Sequence, residues 1–575
     1  MDRKTIIAFL LIGLITFVWM WRLNKQREAL HEEAVRQQQQ QEADAGEQPE
    51  TPPAEEPSDE ADAPPVTEPE IVPEIEAVPL QNAISMAGED LWYDLVWTNR
   101  GGCLRSARLK RYAESLESDQ GVLLLDAPEE GPATFLLRDP DGELPLDTRN
   151  YRVTRGDDGR LIFTADFRNH IEVEKEFIPK AESNQLEVRI TFTNTGTGAE
   201  TPFARYEIVA AGRVVPEEAS ARAGLPLAGV CGFRSEGEKI GLEYGLPQPK
   251  TGRRWWPWSN KYKMPYTRQS SDAEPVLWAG GINRYFAGVL LAEDSPGIQG
   301  EEILPAEDLI FRADMHLLEG IDLNPESPDE KPEFTNNLYV TVTPTPQPLP
   351  PGASLTHVYM YFMGPKEKGA FEAAPSLVRL KPLIDYGIFG AISKILLAIL
   401  KAFYALIPNY GVSIVLLTVL VKICLHPFTR KSQIAMRKMQ KLQPLIKELQ
   451  EKYKGDRQKF AQAQMELLRK HRANPMGGCW PMFFQLPVFL GLFRMLQKSV
   501  ELRHAGFFLW INDLSQPDTL TEVAGFPINI LPVLMVISWV VQSLLQPKSP
   551  DPEQARTQRM MVFMPVFFGF LLCSL

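Results

Sequence analysis

The sequence predicts a multi-span α-helical membrane protein with an inserted periplasmic β-sandwich domain. Two observations lead to this prediction. Five apolar runs each approach the length needed to cross a hydrocarbon core of about 30 Å. Between the first two runs, a stretch of about 300 residues alternates apolar and polar side chains in the manner of β-strands. The apolar runs are Thr5–Trp21, Tyr410–Phe428, Cys479–Gln497, Phe526–Leu545 and Met560–Leu575.

The overall composition conceals this architecture. A hydrophobic content of 44% and a net charge of -13 are typical of a soluble acidic protein. The average, however, combines the apolar runs with a strongly acidic segment, since residues 42–76 carry thirteen Asp and Glu and no Lys or Arg occurs from Gln37 to Asn99. Such a segment cannot bury enough apolar surface to offset its chain entropy, so we predict a disordered linker over residues 26–80.

The first span, within residues 1–25, has the basic start and short apolar core of a signal peptide. It ends in aromatic residues and Arg22, however, without a small-residue cleavage site. This favours an uncleaved signal anchor over a cleaved signal peptide.

The loop charges predict the orientation. Residues 430–472 hold thirteen Lys and Arg against four Asp and Glu, whereas residues 498–526 hold two against four. Short cytoplasmic loops are enriched in Lys and Arg, so the first of these loops is predicted to be cytoplasmic. The N-terminus is then cytoplasmic, and residues 81–368 lie on the external side of a membrane that the chain crosses several times.

The pattern of the external region predicts β-strands. In LEVRITFTN, Leu186, Val188 and their alternate neighbours point one way, and LYVTVTP at 338–344 repeats the pattern. We find no catalytic motif, no metal-ligand spacing and no cofactor motif in the region, so a binding or scaffolding role is predicted rather than an enzyme. Cys103 and Cys231 could meet in an oxidising compartment, but two cysteines alone do not predict a disulfide.

Residues 385–408 predict an amphipathic helix, which ends near Pro408 because proline disrupts the helical hydrogen bonds. Lys394 and Lys401 share one face of it. Its apolar residues share another face: Ile388, Ile392, Ile395, Ile399 and Phe403. We interpret it as an interfacial helix on the outer leaflet. The alternative is a linker helix packed on the sandwich.

Two helices are predicted to follow the second span, residues 409–429. Residues 430–474 show apolar positions spaced by three or four on both sides of a KGD break at 454–456, which predicts a basic helical hairpin. Its basic face is either solvated or in contact with acidic lipid or ribosomal RNA.

The remaining predicted elements are transmembrane helices and their connections. The third span carries Pro481, Gln485 and Pro487; proline kinks a span, and a lone Gln in hydrocarbon needs a partner or a wet cavity. The segments are a third span at 479–498, an external loop at 499–525, a fourth span at 526–546, a cytoplasmic loop at 547–559 and a fifth span at 560–575.

Lys422 is the most informative single residue, because a charge inside an apolar run is costly. It stands six residues before Phe428, about 9 Å from the cytoplasmic end of the run. A lysine can snorkel over that distance, so its residue type alone does not separate a snorkelling role from a functional one.

Several longer motifs resemble those of the YidC/Oxa-type membrane protein insertases, in the Gram-negative branch with a large periplasmic domain. The resemblance covers nearly the whole chain in the expected order. The motifs are TNRGGCLRSARL at 98–109, YFMGPKEKG at 361–369, DYG at 385–387, NPMGGCWPMFFQLPVF at 474–489, SVELRHAGFFLWINDLS at 499–515 and FMPVFF at 563–568.

The resemblance implies an insertase and chaperone that inserts and folds inner-membrane proteins through a hydrophilic groove. It places Lys422 at the position of the family's groove cation, with Thr418 one turn earlier. Gln485, Leu486 and Pro487 are the further candidate substrate-contact residues. The implied partners are nascent membrane proteins, membrane lipid, the Sec translocon and the ribosome, with no DNA and no cofactor. The family pattern also leads us to expect a sixth span and a basic tail after Leu575, where this sequence stops.

The sequence disfavours two other function classes. A solute or proton-coupled transporter could be built around Lys422, but internal repeats and paired intramembrane charges are not found in the sequence. An envelope sugar-binding or sugar-modifying protein would suit the predicted sandwich, but no paired carboxylates present an acid and a base.

Overall fold

The structure is a computed structural model. It describes residues 84–545 apart from gaps, the longest of which are 216–227, 246–265, 318–337 and 472–479. The predictions made for residues 1–25, 26–80, 547–559 and 560–575 lie outside the described residues.

The strands are antiparallel and fall, among the described residues, into two large sheets and three two-stranded pairs. In chain order they are β1 (Ile84–Met86), β2 (Tyr93–Thr98), β3 (Cys103–Ala113), β4 (Gly121–Asp126), β5 (Leu137–Arg138), β6 (Arg152–Arg155), β7 (Leu161–Phe167), β8 (Ile171–Pro179), β9 (Gln185–Asn194), β10 (Phe203–Ala204), β11 (Glu207–Ala211), β12 (Ala228–Ser235), β13 (Lys239–Gly245), β14 (Tyr266–Gln269), β15 (Val276–Ile282), β16 (Phe286–Ala292), β17 (Ser295–Pro296), β18 (Ile303–Leu304), β19 (Ile310–Leu317), β20 (Leu338–Pro344), β21 (Gln347–Pro348), β22 (Ser354–Pro365), β23 (Thr519–Val523) and β24 (Phe526–Asn529).

The smaller sheet runs β1-β2-β3-β4. The larger sheet runs β5-β11-β20-β19-β15-β16-β22-β9-β8-β7-β6, with β12 and β14 pairing to β15 and β19, and β13 pairing to β12. Strands far apart in sequence therefore lie side by side, since β22 pairs with both β9 and β16. The strand-rich domain that the alternation predicted is present.

One aromatic core joins the two sheets. Trp97 of the smaller sheet is fully buried, and its ring lies 4.3 Å from that of Phe177 and 5.8 Å from that of Phe163 in the larger sheet, measured between centroids. Phe135, in the connection before β5, stacks on Trp97 at 5.9 Å. Burying side chains of this size supplies most of the driving force for a domain of this kind.

The predicted alternation holds in β9 and fails in part in β20. In β9, Leu186, Val188 and their alternate neighbours are buried while the residues between them are partly exposed. In β20, Thr341 and Thr343 are buried as well as the valines. β20 lies between β11 and β19, in the interior of the sheet, and both of its faces are covered.

A lysine is buried in the core of the domain. Lys175 of β8 is fully buried, and its Nζ donates to the carbonyl oxygens of Gly101 at 2.6 Å, Gly102 at 3.2 Å and Phe135 at 3.1 Å. Burial lowers the pKa of Lys175 to about 7. Gly101 has a positive φ of 68°. Lys175 therefore fastens the glycine turn between β2 and β3 to the larger sheet.

The cysteines of this domain are unpaired. Cys103 and Cys231 are both buried free thiols. Burial raises the pKa of Cys103 to about 11 and that of Cys231 to about 12, so both are protonated and unreactive near neutral pH.

Seven α-helices lie among the described residues. They are α1 (Ala306–Leu309), α2 (Lys368–Phe371), α3 (Gly390–Leu406), α4 (Tyr410–Lys452), α5 (Arg457–Lys470), α6 (Trp480–Lys498) and α7 (Ile530–Leu545). Two 3-10 helices, Ser376–Leu383 and Val500–Leu502, complete the described helical elements. Helix α7 runs from one compact unit of the chain into the other and is described by itself.

Helix α4 joins two elements that the sequence analysis separated. It is continuous over 43 residues, so the predicted second span and the first arm of the hairpin form one helix, with Pro427 and Pro444 inside it. Asn409 caps its start, because the side chain accepts a hydrogen bond from the Val412 amide at 3.0 Å. Helix α5 packs against its far end, where Leu442 and Leu468 are buried together.

The fourth predicted span begins later than the sequence suggested. Phe526–Asn529 pairs with β23 as β24, and α7 starts at Ile530. The Leu531 amide donates to the Asp518 carboxylate at 2.6 Å. A carboxylate at the first turn satisfies one of the amides that a helix start leaves unpaired, which fixes the boundary after the hairpin.

Candidate functional site

Helices α3, α4 and α6 pack around a small apolar centre. Leu400 of α3, Leu417 of α4 and Met495 of α6 are all fully buried in it. Ser393 Oγ of α3 donates to the carbonyl oxygen of Gly491 in α6 at 2.8 Å. A Cβ added at Gly491 would lie 3.1 Å from Ile392, so the glycine permits this close approach. The three helices therefore form a connected scaffold for the candidate residues.

Lys422 and Thr418 lie on an exposed face of α4. They are four residues apart, so their side chains share one side of the helix, away from buried Leu417. Thr418 donates its hydroxyl to the Ile414 carbonyl oxygen within the helix at 2.8 Å. Within the described part of the chain, Lys422 has neither a hydrogen bond nor an ion pair. Its ammonium is free to meet water or a bound group.

Gln485, Leu486 and Pro487 lie in the first half of α6. Gln485 and Leu486 are exposed, and Pro487 is partly exposed inside the helix. Among the described residues, Gln485 has no hydrogen-bond partner. Pro487 supplies no amide hydrogen, so the helix lacks one of its backbone hydrogen bonds at this point. Pro481 lies in the first turn of the same helix.

An apolar stripe on α6 adds two residues that the sequence analysis did not single out. Leu486, Phe489 and Phe493 are 50%, 58% and 52% exposed and lie on one side of the helix. Their i, i+3, i+7 spacing was visible in the sequence, but the same spacing is equally typical of a buried helix face. On α4, Val415, Val419 and Ile423 are exposed in the same way.

The β domain is fastened to the end of α6. Arg284 Nε, in the turn before β16, donates to the Gln497 carbonyl oxygen at 2.7 Å. Arg503, just after α6, donates to the carbonyl oxygens of Ala113 at 2.6 Å and Glu114 at 3.1 Å. The strand domain and the helices that carry the candidate residues are thus in direct contact.

Apolar length alone identifies one span. Among the described residues, one helix segment, Tyr410–Met439, is long and apolar enough to cross a membrane, and Ile530–Gln542 is a shorter apolar helix. No group of His, Cys, Asp and Glu in the described part of the chain is arranged to hold a metal ion.

Comparison with solved structures yields only a weak likeness. A putative aldose 1-epimerase from Escherichia coli is 11% identical, with a TM-score of 0.28, over 49% of this chain and 98% of the epimerase. A likeness at this level supports no inference about function.

Comparison with protein families and relatives is more specific. Residues 92–399 match the family described as YidC periplasmic domain, and residues 402–575 match the family described as 60Kd inner membrane protein. The membrane protein insertase YidC of Pelobacter propionicus is 32% identical over 490 residues, which are 83% of this chain and 80% of the relative. That of Geotalea daltonii is 42% identical over 41% of this chain and 42% of the relative. These matches span both the strand domain and the helices, so this chain belongs to the YidC family of membrane protein insertases.

Proposed function

We propose that this chain inserts and folds inner-membrane proteins through a hydrophilic groove to which Lys422, Thr418, Gln485, Leu486 and Pro487 contribute. The observation that carries the proposal is Lys422 itself. Within the described residues it is an exposed cation without a partner, on the one helix long and apolar enough to span a membrane. A charge held there without compensation is expensive unless water or a substrate group meets it.

The proposed groove lowers the cost of carrying polar groups into the membrane. A polar or acidic segment of the incoming protein would rest against water, Lys422 and the amide of Gln485. The apolar segment would lie along the stripe formed by Leu486, Phe489 and Phe493 before it leaves for lipid. Partitioning of the apolar segment supplies the free energy, so neither a nucleotide nor a catalytic residue is needed.

The proposal places five spans of this chain in a bacterial inner membrane, with the N-terminus in the cytoplasm and the β domain in the periplasm. It is supported by the five apolar runs and by the excess of Lys and Arg in residues 430–472. The segments are a signal anchor at 1–25, a linker at 26–80, the β domain at 81–368, an interfacial helix at 385–408 and the hairpin at 430–474.

Nascent membrane proteins are the proposed substrates, because the relatives are named membrane protein insertases. The Sec translocon and the ribosome are proposed as partners. The exposed basic residues of α5 support the ribosome, since RNA phosphates attract such a surface.

The test replaces Lys422 in cells depleted of their own insertase. We expect Lys422→Ala to reduce insertion of a small single-span substrate at least tenfold at equal protein level, and Lys422→Arg to retain most of it. Lys438→Ala is the matched control, because Lys438 is an exposed lysine of the same helix ten residues beyond Phe428, the last residue of the apolar run. It should insert as the wild type does.

The readout is protease protection of the substrate's external tail. If Lys422→Ala inserts as well as Lys438→Ala, Lys422 only snorkels to the membrane surface and the groove charge has no role. If both alanine variants lose insertion equally, the effect belongs to the overall positive charge of the helix.

A further inference from the structure

A cavity of about 460 Å³ lies where the β domain meets α3 and the end of α6. Six lysines and three glutamates line it, which gives an excess of three positive charges when every group is ionised. The lysines are Lys366, Lys368, Lys381, Lys394, Lys401 and Lys498. They come from three separate parts of the chain, so the fold assembles this concentration of positive charge and no short sequence motif contains it.

The pairing of these charges leaves several lysines uncompensated. Lys401 bonds Glu501 at 2.6 Å, and Lys381 bonds Glu372 at 2.8 Å. Within the described residues, Lys366, Lys394 and Lys498 have no carboxylate within 4.0 Å. The cavity therefore concentrates free positive charge, which attracts an anion.

Two of these lysines are held in place by backbone carbonyls. Lys366 Nζ donates to the Asn283 carbonyl oxygen at 2.6 Å, and Lys498 Nζ donates to that of Asp385. Burial, and then the positive charge of Lys498, lower the pKa of Lys366 to about 7. A bound anion would favour the charged form and reverse that effect. The two lysines are therefore held in position by backbone contacts, but their positive charges lack a carboxylate partner among the described residues.

Helix α3 shows which kind of anion suits the cavity. Lys394, Leu397, Ala398 and Lys401 line it and share one side of the helix. About 100° around the helix, Ile395 and Leu406 are 61% and 77% exposed. Ile388, in the turn just before the helix, is 92% exposed. A third side buries Leu396 and Leu400. An exposed apolar side next to a lysine side is the pattern of a helix that lies in a membrane interface.

We propose that this cavity binds the phosphate headgroup of an anionic phospholipid from the leaflet on the side of the β domain. The lysines would bind the phosphate, while Leu397 and the exposed Ile395 of α3 would contact the glycerol and the first methylenes of the acyl chains. A free phosphate would use only the lysines, and an acidic peptide would leave the apolar wall without a partner. A lipid uses both.

The test is calorimetric titration of the purified full chain in neutral detergent. The probe is short-chain phosphatidylglycerol below its micelle concentration, and short-chain phosphatidylcholine, inorganic phosphate and a short poly-aspartate peptide form the comparison arms. The variants are Lys394→Glu, Lys394→Arg and, as a matched charge control, Lys239→Glu on the exposed surface of β13. Lys394 is exposed and makes no hydrogen bond or ion pair among the described residues, so its replacement should not disturb folding.

We expect phosphatidylglycerol to bind the wild type, the Lys394→Arg variant and the Lys239→Glu variant alike, and to bind Lys394→Glu about tenfold more weakly. Equal binding of phosphatidylcholine would overturn anion recognition. Equal binding of phosphate, or tighter binding of poly-aspartate, would overturn the lipid assignment, and an unchanged Lys394→Glu would overturn the site. No arm measures insertion, so the result is independent of the groove proposal.

Discussion

The β domain and the helical scaffold of α3, α4 and α6 place their large apolar side chains in opposite ways. Trp97, Phe135 and Phe177 are fully buried between the sheets. Leu486, Phe489 and Phe493 are about half exposed on α6. The hydrophobic effect drives the first group inside because its solvent is water. In the membrane location proposed above, lipid would exert no such force on the second group, so the exposure of these side chains would carry no cost.

Polar groups buried in the two regions differ as well. The β domain buries ionisable side chains, including Lys175 and His357. The buried polar side chains described in α3 and α4 are serines: Ser393, Ser413 and Ser432. A buried serine can donate to a carbonyl of its own or a neighbouring helix without carrying charge. The interior of the β domain should therefore respond to pH, and that of the helical scaffold should not.

The largest expected effect comes from paired aromatic truncations. Trp97→Ala should cost the β domain about 3–5 kcal/mol of unfolding free energy, because it empties the centre of the core. Phe489→Ala should change stability by about 0.5 kcal/mol or less and slow substrate insertion instead. Urea denaturation of the full chain, followed by near-ultraviolet circular dichroism, measures the first effect. Equal losses of stability in both variants would contradict the contrast between the regions.

Acid should destabilise the β domain through His357. Burial lowers the pKa of His357 to about 4 from 6.5, and the Tyr206 hydroxyl lies 2.8 Å from its Nδ1. Between these values the unfolded state binds more protons, so stability falls as the pH drops from 6.5 to 4, by up to about 3 kcal/mol.

The measurement compares urea midpoints at pH 7 and pH 4.5 for the wild type and for His357→Gln. The variant should lose less stability than the wild type over this window. If the two proteins lose the same amount, other groups cause the acid sensitivity.

Two glycines with similar backbone angles test how tightly the β domain is packed. Gly101 and Gly352 have φ values of 68° and 75°. A Cβ on Gly101 would lie 2.4 Å from Leu136, whereas one on Gly352 would meet nothing within 4 Å. Gly352→Ala should cost about 1 kcal/mol of unfolding free energy for the backbone angle alone, and Gly101→Ala about 2 kcal/mol or more. Equal costs in denaturation would show that the turn held by Lys175 relaxes freely.

The smallest expected effect concerns the caps of two helices. Asn409→Ala should cost about 1 kcal/mol at the start of α4, since its side chain accepts from Val412 and donates to the Phe507 carbonyl oxygen at 3.2 Å. Asp456→Ala removes the bond from the Lys459 amide at the start of α5 and an exposed ion pair with the Lys459 ammonium at 3.2 Å. Hydrogen exchange of the first-turn amides should rise more in the first variant. A larger rise in α5 would contradict the importance of the Phe507 contact.

Local sequence patterns predicted correctly those strands that have one buried face and one face towards solvent. β9 alternates because one of its faces is buried and the other is partly exposed, and this was read correctly. Thr341 and Thr343 were expected to face outward, but their burial depends on which strands lie beside β20 and over its faces. That information is distributed over residues far apart in sequence.

Some functional candidates can be identified from the local sequence, and others only from the fold. Lys422 could be selected because a charge in an apolar run is rare. Lys175 occupies an inward position in IEVEKEFIP, between Val173 and Phe177. The alternation of this strand therefore predicts a buried lysine, which the sequence analysis did not identify. The lysines around the cavity at α3 could not be grouped from sequence, since only the fold brings Lys366 near Lys394 and Lys498. The roles of all five groove candidates stay predictions: Lys422, Thr418, Gln485, Leu486 and Pro487.

The continuity of α4 has a mechanical consequence. A helix of 43 residues is a rod about 65 Å long, and Lys422 stands within its first third. If a partner bound α4 near Lys452 and rotated it about its long axis, the ammonium of Lys422 would rotate through the same angle. Pro427 and Pro444 each remove one backbone hydrogen bond between those two points and are where the rod is weakest in bending. The bending stiffness of α4 between its contact with α5 and Lys422 therefore depends on these two prolines.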